Sequence, residues 1–105
     1  MAERVTNTEF DEKVIGSSKL AIVDFYSDSC VPCKRMSPVL SALEEQYHGA
    51  VYVAKVNIAY EKELVEEYAI RSTPTFIFFK NGDIVERFSG ARKKDELEQI
   101  IESNL

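Results

Sequence analysis

Apolar and polar positions divide the first half of the chain into alternating helix and strand patterns. A capping-box pattern over residues 6–9 precedes apolar residues at helical spacing, and Gly16 follows them, so the pattern predicts a short first helix. The apolar run Leu20–Tyr26 has the length and composition of a buried strand. After it, apolar residues recur at helical intervals until His48 and Gly49, which we expect to end a longer helix.

The second half of the chain repeats this alternation and then ends in a different order. Residues 51–58 have a strand pattern, residues 61–68 predict a short acidic helix, and residues 93–104 predict a closing helix. Two apolar strands, residues 75–79 and 84–88, flank an Asn-Gly-Asp turn, which predicts an antiparallel hairpin. The full order predicts an α/β fold with a central mixed β-sheet and helices on both faces.

Composition and charge narrow the class of protein. The 105 residues, of which 45% are hydrophobic, suit a single domain over residues 1–105 with one core. The net charge of −5 argues against a nucleic-acid-binding surface, and we interpret the densest basic cluster, Arg92-Lys93-Lys94, as solvated surface. No apolar run is long enough to cross a bilayer, and no signal-peptide pattern is present. We therefore expect a cytoplasmic monomer that does not bind membranes.

The chemistry is concentrated in Cys30-Val31-Pro32-Cys33, which contains both cysteines of the chain. They lie at the predicted strand-to-helix turn, where unpaired backbone N–H groups and the helix dipole stabilise a thiolate. We predict that Cys30 attacks a substrate disulfide and that Cys33 then resolves the mixed disulfide. The alternative is a zinc half-site, but zinc normally has four ligands and the chain adds one histidine, His48. We therefore expect no metal, and exchange through the two thiols needs no bound cofactor.

Two charged residues interrupt otherwise apolar strands. Asp24 lies within Leu20–Tyr26, where burial would raise its pKa and make it a general base for a buried thiol. Lys55 interrupts the next strand, and if the two strands are neighbours it could partner Asp24. The alternatives for Lys55 are an ordinary salt bridge or an ammonium group that reaches the edge of the sheet.

The three prolines suggest local roles. Pro32 fits the first turn of a helix and stiffens the loop between the cysteines. Pro38 lies deeper in the same helix, where we expect only a bend. Pro74 precedes a strand, where proline is usually an entry device. A sharper hypothesis is a cis bond that presents the backbone of Thr73 to a substrate strand.

In combination these motifs resemble the thioredoxin family over nearly the whole chain. The resemblance implies the thioredoxin fold, with Cys30 as attacking thiol and Cys33 as resolving thiol. It also implies that Asp24 accepts the proton of Cys33 with Lys55 nearby. The matching stretches are Val23-Asp24-Phe25, Cys30-Val31-Pro32-Cys33-Lys34, Pro38, Lys55-Val56-Asn57, Arg71-Ser72-Thr73-Pro74-Thr75, Phe79-Lys80-Asn81-Gly82 and Gly90-Ala91.

The resemblance also implies a function, a protein-disulfide reductase acting on client proteins. A thioredoxin reductase would recharge it, either an NADPH- and flavin-dependent one or a ferredoxin-linked one. Pro74 would be a cis-proline facing the active site, and Gly90 would belong to the apolar surface that receives partners. The substrate-binding positions are then expected to be Ser29, Val31, Pro32, Thr73, Pro74 and Gly90.

The motif departs from the usual Trp-Cys-Gly-Pro-Cys of the family at two positions. Ser29 replaces the tryptophan and Val31 replaces the glycine, while Tyr26 occupies another position that is usually aromatic. These changes can shift both thiol pKa and disulfide stability. They keep two alternatives open: a thioredoxin-like oxidant or isomerase, and a non-enzymatic binding subunit with the same fold.

Overall fold

A computed structural model describes residues 2–105 and contains a five-stranded sheet with three α-helices. The strands are β1 (Glu3–Arg4), β2 (Leu20–Tyr26), β3 (Val51–Asn57), β4 (Thr75–Lys80) and β5 (Asp83–Ser89). The helices are α1 (Val31–Gln46), α2 (Lys62–Glu67) and α3 (Lys94–Ser103), and a π-helical turn covers Asp11–Ile15. No helix within residues 2–105 has the length and apolar character that a bilayer-spanning segment requires.

The sheet is mixed, as the element order predicts. Its strand order is β1-β3-β2-β4-β5, with β3 parallel to both β1 and β2. β4 runs antiparallel to β2, and β5 completes the predicted hairpin. The carboxyl ends of β2 and β3 therefore lie at the same edge of the sheet as the start of β4. This edge receives the loops that carry the cysteines and Pro74.

The side chains of β2 are buried on both faces of the sheet, which shows that both faces are covered. Leu20 and Ile22 belong to a core cluster with residues of α1 and α3, whereas Val23 and Phe25 belong to a second cluster. The second cluster includes Phe10 beside the π-helical turn and buried residues that flank or belong to α2. The predicted α/β architecture, a mixed sheet with helices on both faces, is confirmed.

Two features at the amino-terminal end differ from the sequence prediction. The strand β1 was not predicted, because two exposed residues carry no periodicity and pair only once β3 is in place. The predicted first helix is a π-helical turn, in which Gly16 N donates to Asp11 O at 2.8 Å across five residues. Thr6 N still donates to Glu9 Oε1 at 3.0 Å, as half of a capping box would.

Candidate active site

The two cysteines lie at the amino-terminal end of α1 and form a disulfide with a Cα–Cα distance of 5.2 Å. Cys30 is the N-cap residue, and Cys33 N donates to Cys30 Sγ at 3.1 Å. Cys30 is 9% exposed and Cys33 is 5% exposed. Pro32 occupies the first turn, where a missing N–H breaks no helical hydrogen bond. Both cysteines are therefore largely buried, Cys30 slightly less than Cys33, at the positive end of a 16-residue helix.

The side chains that depart from the family motif flank the disulfide at the surface. Val31 is 56% exposed, and Ser29 is exposed as well. Neither side chain is part of the core. Their contribution is therefore to the surface that a partner would meet beside Cys30.

A second loop packs against the first at the start of β4. The Thr73–Pro74 peptide bond is cis, and Ser27 Oγ lies 3.4 Å from Thr73 Oγ1. Gly90 N donates to Pro74 O at 2.8 Å, which brings in the loop after β5. Gly90 has a φ of +90°, a conformation that favours glycine. Three loops that are distant in sequence thus meet at the edge of the sheet that carries the disulfide.

Asp24 is fully buried within β2, directly opposite Lys55 of β3. Within the described residues, neither oxygen of its carboxyl group has a hydrogen-bond partner. Burial raises the pKa of Asp24 to about 7, and the positive charge of Lys55 lowers it in part. The Lys55 ammonium lies 4.6 Å from the centroid of the Tyr26 ring, so the lysine packs on an aromatic face and no ion pair with Asp24 is seen in residues 2–105.

A cleft of about 350 Å³ opens beside Cys33. The cleft lies between the amino-terminal part of α1, which contains Cys33, and the part of β3 that contains Lys55. The Asp28 carboxylate in its wall accepts a hydrogen bond from Asn57 Nδ2 at 3.3 Å. The residues that line the cleft are Tyr26, Ser27, Asp28, Cys33, Lys34, Ser37 and Lys55.

Three residues of this site have no role assigned to them from the sequence. Ser27 and Asp28 follow β2, and Asn57 ends β3, where it is buried. The carboxyl ends of adjacent parallel strands meet at one edge of a sheet, and that rule could have identified them. Among residues 2–105, no group of three or more His, Cys, Asp or Glu side chains is arranged to hold a metal ion.

A disulfide at a helix amino terminus, closed by two cysteines with two residues between them, defines a thiol–disulfide oxidoreductase site. Comparison with known proteins agrees with this class. The Thioredoxin family model matches residues 1–103. The chain therefore belongs to the thioredoxin family, and its function is thioredoxin-type dithiol–disulfide exchange.

Individual relatives support the same assignment. Thioredoxin 1 of Nostoc sp. strain PCC 7120 is 36% identical over 104 residues, which cover 99% of this chain and 97% of that protein. Thioredoxin of Porphyra purpurea is 37% identical over 98 residues, which cover 93% of this chain and 92% of that protein. The mitochondrial thioredoxin of Mus musculus is 37% identical over 93 residues, 89% of this chain but 56% of that longer protein.

Proposed function

We propose that this protein is a protein-disulfide reductase that works as one domain over residues 1–105. The observation that carries the proposal is the Cys30–Cys33 disulfide at the start of α1, after a loop whose Ser27 hydroxyl lies 3.4 Å from the Thr73 hydroxyl. This is the oxidised state that the protein would reach after reducing a client.

The reaction proceeds by two exchanges of sulfur partners. The Cys30 thiolate attacks one sulfur of the client disulfide, which forms a mixed disulfide and releases the other client sulfur as a thiolate. The Cys33 thiolate then attacks the Cys30 sulfur, which breaks the mixed disulfide and releases the second client thiolate. The client gains two electrons and binds two protons, while the protein dithiol loses two of each and becomes the disulfide.

Asp24 is the group we assign to accept the proton of Cys33. A carboxyl group with a pKa of about 7 is partly ionised at neutral pH and can exchange a proton there. Its burial and its unpartnered oxygens support this role, because no other hydrogen bond in the described residues competes for the proton. The positive charge of Lys55, opposite Asp24 in the sheet, lowers the pKa of Asp24 in part.

The client would bind over the surface formed by the three loops. Within residues 2–105 no backbone hydrogen bond occupies the N–H or C=O of Thr73, so both can pair with an extended client segment. Val31 offers exposed apolar area next to Cys30. The full set of client-binding residues in this proposal is Ser29, Val31, Pro32, Thr73, Pro74 and Gly90.

Recharging requires an external electron donor, since the domain itself supplies no electrons beyond its two thiols. We assign this task to a thioredoxin reductase, either NADPH- and flavin-dependent or ferredoxin-linked, in the cytoplasm. Incubation of the oxidised protein with each purified reductase and its electron source distinguishes the two. Reduction of Cys30–Cys33 by neither would contradict this part of the proposal.

Two serine substitutions test the mechanism, and reduction of an insoluble or chromogenic disulfide substrate is the assay. Cys30→Ser should abolish reduction, because the attacking thiolate is gone. Cys33→Ser should instead accumulate a mixed disulfide between Cys30 and the client, visible as a mass increase that a thiol reductant removes. Retained reductase activity in Cys30→Ser would refute the mechanism.

A second candidate is an oxidant or isomerase, because the exposed replacements Ser29 and Val31 flank the cysteines and can shift the stability of the disulfide. The midpoint potential of the Cys30–Cys33 couple separates the two. A potential of about −270 mV supports a reductant, whereas about −180 to −120 mV supports an isomerase or oxidant. A non-enzymatic binding role predicts that a Cys30→Ser, Cys33→Ser double variant still supports the biological function.

A further inference from the structure

The fold gathers cationic side chains around the disulfide of an acidic protein. The segments that meet there are residues 27–35, 71–75 and 89–93, which together contain five cationic side chains and one carboxylate, Asp28. The whole chain has 13 basic and 18 acidic residues and a net charge of −5. We call the four exposed cations of these segments the basic rim; they are Lys34, Arg35, Arg71 and Lys93.

The basic rim is not neutralised by the protein itself. Within residues 2–105, none of its four side chains forms an ion pair. The fifth cation of these segments, Arg92, differs because its guanidinium lies 3.8 Å from Glu96 Oε2 and 4.1 Å from the Phe88 ring centroid. Where acids outnumber bases, cations without a carboxylate partner at one end of the molecule leave a local positive potential.

Several acidic groups near this end accept hydrogen bonds from the protein itself, and Asp95 and Glu96, which follow Lys93, accept theirs at the start of α3. Asp28 lines the cleft and accepts its hydrogen bond from Asn57. Glu61 and Glu63 follow β3 at the same edge of the sheet, where both accept hydrogen bonds from Asn7, which follows the outermost strand β1. Asp24 is buried behind the surface.

The positive charge extends into the cleft beside Cys33. Lys34 and Lys55 both line this cleft, and the amino-terminal end of α1 adds the positive end of its dipole. A carboxylate that belongs to a client and lies near the attacked disulfide would thus meet two ammonium groups next to the reacting sulfurs.

We propose that the basic rim selects client segments whose disulfide is flanked by acidic residues, with Lys34 as the main determinant. This inference rests on the proposed reductase function and names its preferred substrate class. Lys34 is singled out because it belongs to the rim and also lines the cleft at Cys33. Complementary charge accelerates encounter and disfavours basic partners.

The test uses the full protein, reduced beforehand and freed of reductant, in single-turnover reactions with three disulfide peptides. The peptides are identical except that Glu, Gln or Lys flanks the disulfide. At low ionic strength we expect the Glu peptide to be reduced about three- to tenfold faster than the Gln peptide, and the Lys peptide more slowly than both. At about 0.5 M salt the three rates should converge, because screening shortens the range of these charges.

A matched pair of variants assigns the effect to the basic rim. Lys34→Gln should reduce the ratio of the Glu-peptide rate to the Gln-peptide rate by at least about half. Lys19→Gln removes the same charge at the opposite end of β2 and should keep the wild-type ratio. Unfolding midpoints of both variants show that each is folded.

The possible outcomes distinguish a failure of the charge selection from a failure of the reductase function. Equal rates for the Glu and Gln peptides at low salt would overturn charge selection while leaving the reductase function intact. An equal loss of selectivity in Lys34→Gln and Lys19→Gln would show a net-charge effect and would overturn the role of the rim. Reduction of none of the peptides would overturn the reductase function and this inference with it.

Discussion

The buried carboxyl group of Asp24 makes the stability of this protein depend on pH in an unusual direction. The pKa of Asp24 is raised to about 7 in the folded protein, from 3.8 in a solvated chain. The folded state therefore holds this proton more tightly than the unfolded state between these two pH values. The stability associated with the neutral acid is fully present below about pH 3.8 and is lost as pH rises through about 7.

The magnitude follows from this interval. Between pH 3.8 and about 7, at roughly 1.4 kcal/mol per pH unit, ionisation of Asp24 costs the wild type on the order of 4 kcal/mol of unfolding free energy. This is an upper limit, since water entry around the ionised carboxylate reduces the penalty. Asp24→Asn has nearly the same shape but cannot ionise, so it should escape this loss.

Urea unfolding of the oxidised wild type and Asp24→Asn, at about pH 4, 6 and 8, measures the effect. The amide and the neutral acid differ by a small offset at about pH 4. The variant should then become progressively more stable than the wild type, by as much as about 4 kcal/mol at pH 8. Other titrating groups are shared by both proteins and cancel in the difference.

Asp83→Asn provides the matched control, because it makes the same chemical change at an exposed residue of β5. Its difference from the wild type should not follow the pH course of Asp24→Asn. A difference between Asp24→Asn and the wild type that stays constant from pH 4 to pH 8 would refute the reasoning. It would mean that Asp24 ionises in the folded protein as easily as in water.

Three further predictions concern the pKa of Asp24 and the backbone strain at two turns. Lys55→Gln should raise the pKa of Asp24 further, because a positive charge that favours the carboxylate is removed; carboxyl NMR shifts against pH measure it. Ala69→Gly should stabilise the protein by roughly 0.5–1.5 kcal/mol in urea unfolding, because Ala69 has a φ of +49°. Gly82→Ala should destabilise it by about 1–2 kcal/mol, because Gly82 has a φ of +84° and the new Cβ would lie 3.3 Å from Ile15 Cγ2.

A matched substitution separates the cost of backbone strain at Gly82 from the cost of the contact with Ile15. Gly49 has a φ of +87° and no atom within 4 Å of a built Cβ, so Gly49→Ala reports backbone strain alone and should cost less than Gly82→Ala. Equal costs would contradict the contact with Ile15. A loss of stability in Ala69→Gly would show that this turn is not strained, and an unchanged or lower Asp24 pKa in Lys55→Gln would remove the electrostatic coupling.

Local patterns in the sequence determined most of the elements of the fold. The strand Leu20–Tyr26 has the same bounds in the structure as in the prediction, and the hairpin formed at the predicted Asn-Gly-Asp turn. The two cysteines could be placed at the start of a helix because the residues that follow them have helical spacing. Periodicity, turn residues and helix-start signals act between neighbours in sequence, so they are readable without the rest of the molecule.

Contacts between distant segments were decided only by the tertiary structure. Ser27 and Thr73 are 46 residues apart, yet their hydroxyl groups lie within 3.4 Å beside the disulfide. The sequence suggested that Lys55 could pair with Asp24. The fold made them neighbours in the sheet but placed the ammonium over Tyr26, because a long side chain takes the position that packing leaves open.

The charge around the active site shows the same division. In the sequence, the cluster that begins at Arg92 indicated no more than a solvated surface, and Lys34 and Arg71 are far from it along the chain. The sheet order brings the starts of α1 and β4 and the end of β5 to one edge, and their cations come with them. Sequence patterns encode which side chains are buried and which local conformation they take. Strand pairing alone decides which exposed charges share a surface, because solvated side chains carry no periodic signal of their neighbours.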